Sequence, residues 1–210
     1  MFTHDKLTAA TQSFQKYVEP QLYASGLFDP NNSQVTVCEG STDDLKSKMD
    51  IYAGIDMCTI DNQKHTVQGI ASRVQKGYCY RTFTIRAITD NGSLDTELKK
   101  RALAIKNGDM YPTWTVQAYI ADNPTNDTKV DCTVGVVRTT DLFDYIFKQA
   151  ANVAGIHDTH ALIDELLHGY GIGSVGIRHN PTGAVFLTCD WDSMRLSGIN
   201  IHILQDTFDK

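Results

Sequence analysis

Two apolar runs, residues 51–60 and 66–75, are separated only by the polar DNQK segment. The second alternates with period two, and so does a third run, YRTFTIRAI at 80–88. Successive side chains of a strand point to opposite faces, and a short polar turn between two such runs closes an antiparallel hairpin. Three strands in succession predict a three-stranded antiparallel meander over 51–87. That feature excludes an all-helical protein and favours an α+β or mixed α/β sheet.

The flanking segments supply the helices. Leu7, Ala10, Phe14 and Val18 fall at helical spacing, and Glu19-Pro20 ends that run. FDPNNS is a turn cluster, and QVTVCEG a short strand. STDDLKSKMD opens with a capping residue and acids in its first turn, which predicts a short helix. DTELKKRALAIKNG predicts a helix over 95–107, with Leu98, Ala102 and Ile105 on one face and Gly108 as its stop. That helix is expected to pack over one face of the meander. PTWTVQAYI should join the sheet, with Trp114, Val116 and Ala118 facing inward. CTVGVVRT is another strand, 141–153 and 159–168 are amphipathic helices, and AVFLTC and INIHIL are two further strands. The division expected is a core over residues 1–140 and a C-terminal α/β extension over 141–210, packed on that core.

Composition limits what such a chain does. It has 210 residues, 41% of them hydrophobic and 21% charged, and no run of 18 apolar residues. No membrane span is expected, and nothing at the N-terminus argues for secretion. Five widely separated cysteines suit reduced thiols and a cytoplasmic location better than a disulfide framework. The net charge of −6 is unevenly spread. Residues 1–63 carry 4 Lys/Arg against 9 Asp/Glu, residues 64–106 carry 9 against 3, and residues 107–210 carry 6 against 13. The basic block follows directly on the hairpin. A cationic surface beside carboxylates is suited to a phosphodiester and a divalent metal, although a basic solvated face would look the same.

On the second hairpin strand Ala71, Arg73 and Gln75 point one way, and Ile70, Ser72 and Val74 the other. Thr82, Thr84 and Arg86 share a face of the third strand. Arg73 and Arg86 are expected to lie on one sheet face, since neighbouring antiparallel strands share faces. Glu39 and Asp50 bracket the short helix that precedes the hairpin, and Asp56 stands where the first strand begins.

The αβββαβ order over residues 5–121, the "GID" at 54–56 and the "ASRVQ" at 71–75 resemble the PD-(D/E)XK nuclease superfamily. The resemblance implies an α+β fold: a mixed sheet with a restriction-endonuclease-like core and the C-terminal extension. It implies a metal-dependent nuclease acting on phosphodiesters. Asp56, with Glu39 and Asp50, would hold Mg²⁺, because that ion takes oxygen ligands and usually one or two carboxylates. Arg73 and Gln75 would take the catalytic positions on the neighbouring strand. Arg81, Arg86, Lys100 and Arg101 would contact nucleic acid. The family motif has an acid or Gln, one residue, then Lys. Here the aligned residues are Ala71-x-Arg73 or Arg73-x-Gln75, and arginine does not deprotonate to serve as a base. A catalytically inactive nucleic-acid or nucleotide binder is therefore the alternative. The chain also resembles proteins of phages and mobile elements, which implies a third reading: an acidic protein that meets and inhibits a host defence factor.

Other motifs have simpler explanations. Gly171-Ile-Gly173-Ser-Val-Gly176 matches GxGxxG but follows a helical pattern and precedes a strand, the reverse of a dinucleotide-binding turn. His157, His160 and His168 fit no local zinc site. Asp190 and Asp192 suit a turn. Glu97 with Lys100 and Arg101 suits pairing along a helix surface.

Overall fold

The computed structural model describes residues 11–207, apart from 29–32, 39–40, 42, 62, 64, 123–130 and 168–171. The protein is an α+β chain with a six-stranded mixed sheet and a three-stranded antiparallel sheet. The strands are β1 (Ser33–Val37), β2 (Met57–Asp61), β3 (Thr66–Lys76), β4 (Thr82–Ile88), β5 (Trp114–Ile120), β6 (Cys132–Arg138), β7 (Val175–His179), β8 (Val185–Asp190) and β9 (His202–Asp206). The α-helices are α1 (Glu19–Ala24), α2 (Asp44–Ala53), α3 (Glu97–Asn107), α4 (Thr139–Ala154), α5 (Thr159–Leu167) and α6 (Trp191–Leu196). The two sheets belong to two units that interleave along the sequence rather than dividing at residue 140. One takes the described residues up to Arg81, Pro112–Val136 and those from His202, and the other takes Thr82–Tyr111 and Val137–Ile201.

In the first unit the sheet order is β1-β2-β3-β5-β6-β9. β1, β2 and β3 run antiparallel in turn, with Met57 opposite both Val37 and Ile70. β5 then lies parallel to β3, Arg73 opposite Gln117 and Gln75 opposite Tyr119. The hairpin is present as expected, but its first strand starts late. Residues 51–53 still belong to α2, which Asp43 caps through the Lys46 amide and Gly54 closes at φ 63°.

The main core covers one face of this sheet. Ile70, Trp114, Val116, Ala118, Val134 and Val136 pack with Phe14, Val18 and Leu22. Phe14 and Val18 lie on a π-helical turn at Phe14–Val18 that runs directly into α1, which carries Leu22. Pro20 therefore does not end the N-terminal helix as expected. It falls in the first turn of α1, directly after the π-helical turn. Residues 5–10 of that predicted helix lie outside the described residues. Trp114, Val116 and Ala118 face this core as expected, and Trp114 Nε1 donates to Gln68 Oε1 at 2.8 Å. Every residue of β5 is buried, Thr115 and Gln117 included, as in a central strand covered on both faces.

The second unit holds the antiparallel sheet β4-β8-β7 with α3 to α6. The expected meander is therefore not continuous: β4 pairs with β8, Phe83 opposite Cys189, and not with β3. Alternation gave β4 a face but no partner, and Phe83 and Ile85 are fully buried in this unit, Phe83 5.5 Å from the Trp191 ring. α3 joins β4 through Thr96 Oγ1, which donates to the Ala87 carbonyl at 3.0 Å.

Candidate functional site

Asp56 stands one residue before β2, between β1 and β3. Its carbonyl accepts from the Cys38 amide at 2.8 Å, and its own amide donates to the Ile70 carbonyl at 3.0 Å. Its Oδ2 accepts from the Ser72 amide at 2.6 Å. The carboxylate thus continues the β2–β3 ladder one step past the last main-chain pair, Met57 with Ile70. Ala71, Arg73 and Gln75 share the sheet face opposite the main core, to which Ile70 and Val74 turn, and the Asp56 carboxylate reaches the β3 backbone at Ser72.

The position that would carry the motif's acid is Ala71, which is 2% exposed. Arg73 and Gln75 are half-buried beyond it. Asp50 lies on α2, half-buried, near the Cys38 thiol, while Glu39 lies outside the described residues. Among the described residues no three His, Cys, Asp or Glu side chains converge as a metal group would need. One Asp56 oxygen is held by the Ser72 amide, and alanine stands at the acid position.

The expected nucleic-acid contacts are divided between the two units: Arg81 is in the first, and Arg86, Lys100 and Arg101 are in the second. Arg73 and Arg86 do not share a sheet: β3 is in the six-stranded one and β4 in the three-stranded one. The Arg86 guanidinium lies over the Phe186 ring at 5.6 Å. Arg101 is 4% exposed, with Nη1 3.9 Å from Glu97 Oε2. Lys100 Nζ lies 3.6 Å from Asp95 Oδ2. Arg81 clamps Asp206 through two bonds, 3.1 and 2.9 Å, and Thr133 Oγ1 donates to the same carboxylate at 3.3 Å. Asp190 and Asp192 do not form the expected turn: Asp190 ends β8 and caps α6 through the Ser193 amide at 2.8 Å, and Asp192 lies in that helix. His157 and His160 are exposed, and His168 lies outside the described residues.

Sequence reasoning missed three features. Cys38, just past β1, and Cys58 on β2 bring their sulfurs to 3.9 Å, and burial, followed by Cys58, pushes the Cys38 thiol up to about 12. In the second unit a half-open cleft of about 220 Å³ has Phe143, Phe147 and Ile105 in its floor and charges of both signs, Lys106 and Asp144, on its rim. In the first unit the rings of Tyr78 and Tyr80 meet at 4.7 Å in solvent just past β3. Their spacing of two, directly after an alternating strand, was the signal available for that pair. No protein-family model, curated protein or solved structure matches the chain.

Proposed function

We propose that this chain binds nucleic acid without cutting it, on a sheet of restriction-endonuclease-like design. The strand order supports that design: β1, β2 and β3 antiparallel, then β5 parallel to β3 after a connection that contains α3. The observation that carries the reading is the state of the motif residues. Asp56 spends a carboxylate oxygen on the Ser72 amide and Ala71 replaces the acid, while Arg73 and Gln75 remain on the same face. That set can take a phosphate by charge-assisted hydrogen bonds but supplies no general base.

Fluorescence anisotropy with labelled oligonucleotides tests it. Binding should weaken as salt rises, with a log–log slope of roughly −0.7 to −0.9 for each phosphate neutralised. Arg73→Gln should flatten that slope by about one contact. Incubation with Mg²⁺ or Mn²⁺ should leave the strands intact. Cleavage that Asp56→Asn abolishes would restore the nuclease reading, and salt-independent retention would remove the phosphate contacts.

A further inference from the structure

Three rings form a ladder from the interior to solvent. Tyr119 on β5 is fully buried, Tyr80 is 42% exposed and Tyr78 is 56% exposed. Tyr80 meets Tyr119 edge-on at 6.4 Å, and Tyr78 meets Tyr80 at 4.7 Å with the planes tilted by 57°. The loop that carries the outer two is fixed at both ends. The Gly77 amide donates to the Ile120 carbonyl at 3.0 Å, with φ at +97° and a would-be Cβ 3.0 Å from Asp122 Oδ2. At the other end Arg81 holds φ 50° with both terminal nitrogens on Asp206. The backing ring and the two anchors set the outer rings in place, while much of their surface stays in water.

The loop lies in a stretch of sequence rich in basic residues. From residue 62 to residue 89 there are five Lys/Arg and no Asp or Glu. Lys76, exposed at the end of β3, directly precedes the loop. Asp122 and Asp206 approach from other segments, but Asp206 is neutralised by Arg81 and Asp122 sits against the Gly77 backbone.

We infer that Tyr78 and Tyr80 form a stacking step for unpaired bases, so that the ligand of this face is single-stranded nucleic acid. This rests on the nucleic-acid reading above and adds strandedness to it. Flat aromatic faces beside a lysine suit a strand whose bases are splayed and whose backbone is anionic. A duplex keeps its base faces covered by its own stacking and cannot use them.

The full-length protein, titrated with a labelled oligo-dT and with a blunt duplex of the same length, tests this. Wild type should prefer the single strand. The Tyr78→Ala, Tyr80→Ala double variant should lose about five- to a hundred-fold of that affinity, as removal of base stacking does. The Tyr78→Phe, Tyr80→Phe variant should retain it, because the ring faces remain. The alanine variant's salt slope should match wild type, whereas Lys76→Gln should flatten it. Wild type that binds both ligands equally, or an alanine variant that binds oligo-dT as well as wild type does, overturns the stacking step alone. A wild type that retains neither ligand at low salt overturns the nucleic-acid reading and the stacking step together.

Discussion

The Asp56 carboxylate accepts the Ser72 amide at 2.6 Å, across two antiparallel strands and sixteen residues of sequence. A short bond from a charged acceptor to a half-buried main-chain donor belongs to the stronger class of protein hydrogen bonds. Asp56→Ala leaves that amide without its acceptor and should cost about 1–3 kcal/mol. Asp56→Asn keeps a carbonyl in place and should cost less. Urea unfolding of the three proteins, with and without Mg²⁺, measures this. Wild type should unfold at the same urea concentration in both. An Mg²⁺-dependent shift in wild type that Asp56→Asn removes would assign the carboxylate to a metal instead.

Gly69 sits on β3 where a side chain has no room. A Cβ there would lie 2.9 Å from Ile55 Cδ1 and 3.1 Å from the Pro112 Cα. The isoleucine can adjust, but the proline backbone cannot move without shifting the chain into β5. Gly69→Ala should therefore destabilise by about 1–3 kcal/mol, as overpacking does. Ile55→Ala should be less costly in the Gly69→Ala background than in wild type, and a double-mutant cycle in denaturant checks the sign of that coupling.

Arg81 combines a left-handed backbone, φ 50°, with a two-bond clamp on Asp206. Arg81→Ala loses the clamp and keeps the backbone strain. Arg81→Gly loses the clamp and relieves the strain, so it should be the more stable of the two by about 1 kcal/mol. Equal melting temperatures for the two variants would mean that the loop relaxes once the clamp is gone.

All five cysteines are buried, and burial pushes the thiols of Cys132 and Cys189 up to about 12, as it does that of Cys38. An unfolded thiol ionises at about 8.5. The folded state therefore holds protons that the unfolded state releases, and stability falls with rising pH. The contribution is complete below the unfolded value and is lost as pH climbs toward 12. Denaturation midpoints should drop steadily from pH 8 to pH 10, and Cys189→Ala should make that slope shallower even if it lowers stability at neutral pH. A thiol reagent should label the native protein slowly and the unfolded protein at once.

What the sequence determined is local. The helix expected over 95–107 is Glu97–Asn107, because a threonine start, one apolar face and Gly108 at φ 73° specify it within a few turns of chain. β3 was legible because its alternation exceeds one turn of any helix, and Trp114, Val116 and Ala118 were legible as an inward face for the same reason. What only the tertiary structure decided is who meets whom. β4 alternates as clearly as β3, yet its partner is β8, a hundred residues away in sequence, since periodicity sets the face of a strand and says nothing of its neighbour. Arg81 and Asp206 are 125 residues apart, and only the folded sheet turns a basic-block residue into a clamp. Asp56 was visible as an acid at a strand entrance. That its carboxylate serves a main-chain amide depends on the register of β2 against β3, which long-range packing fixes and short-range pattern cannot.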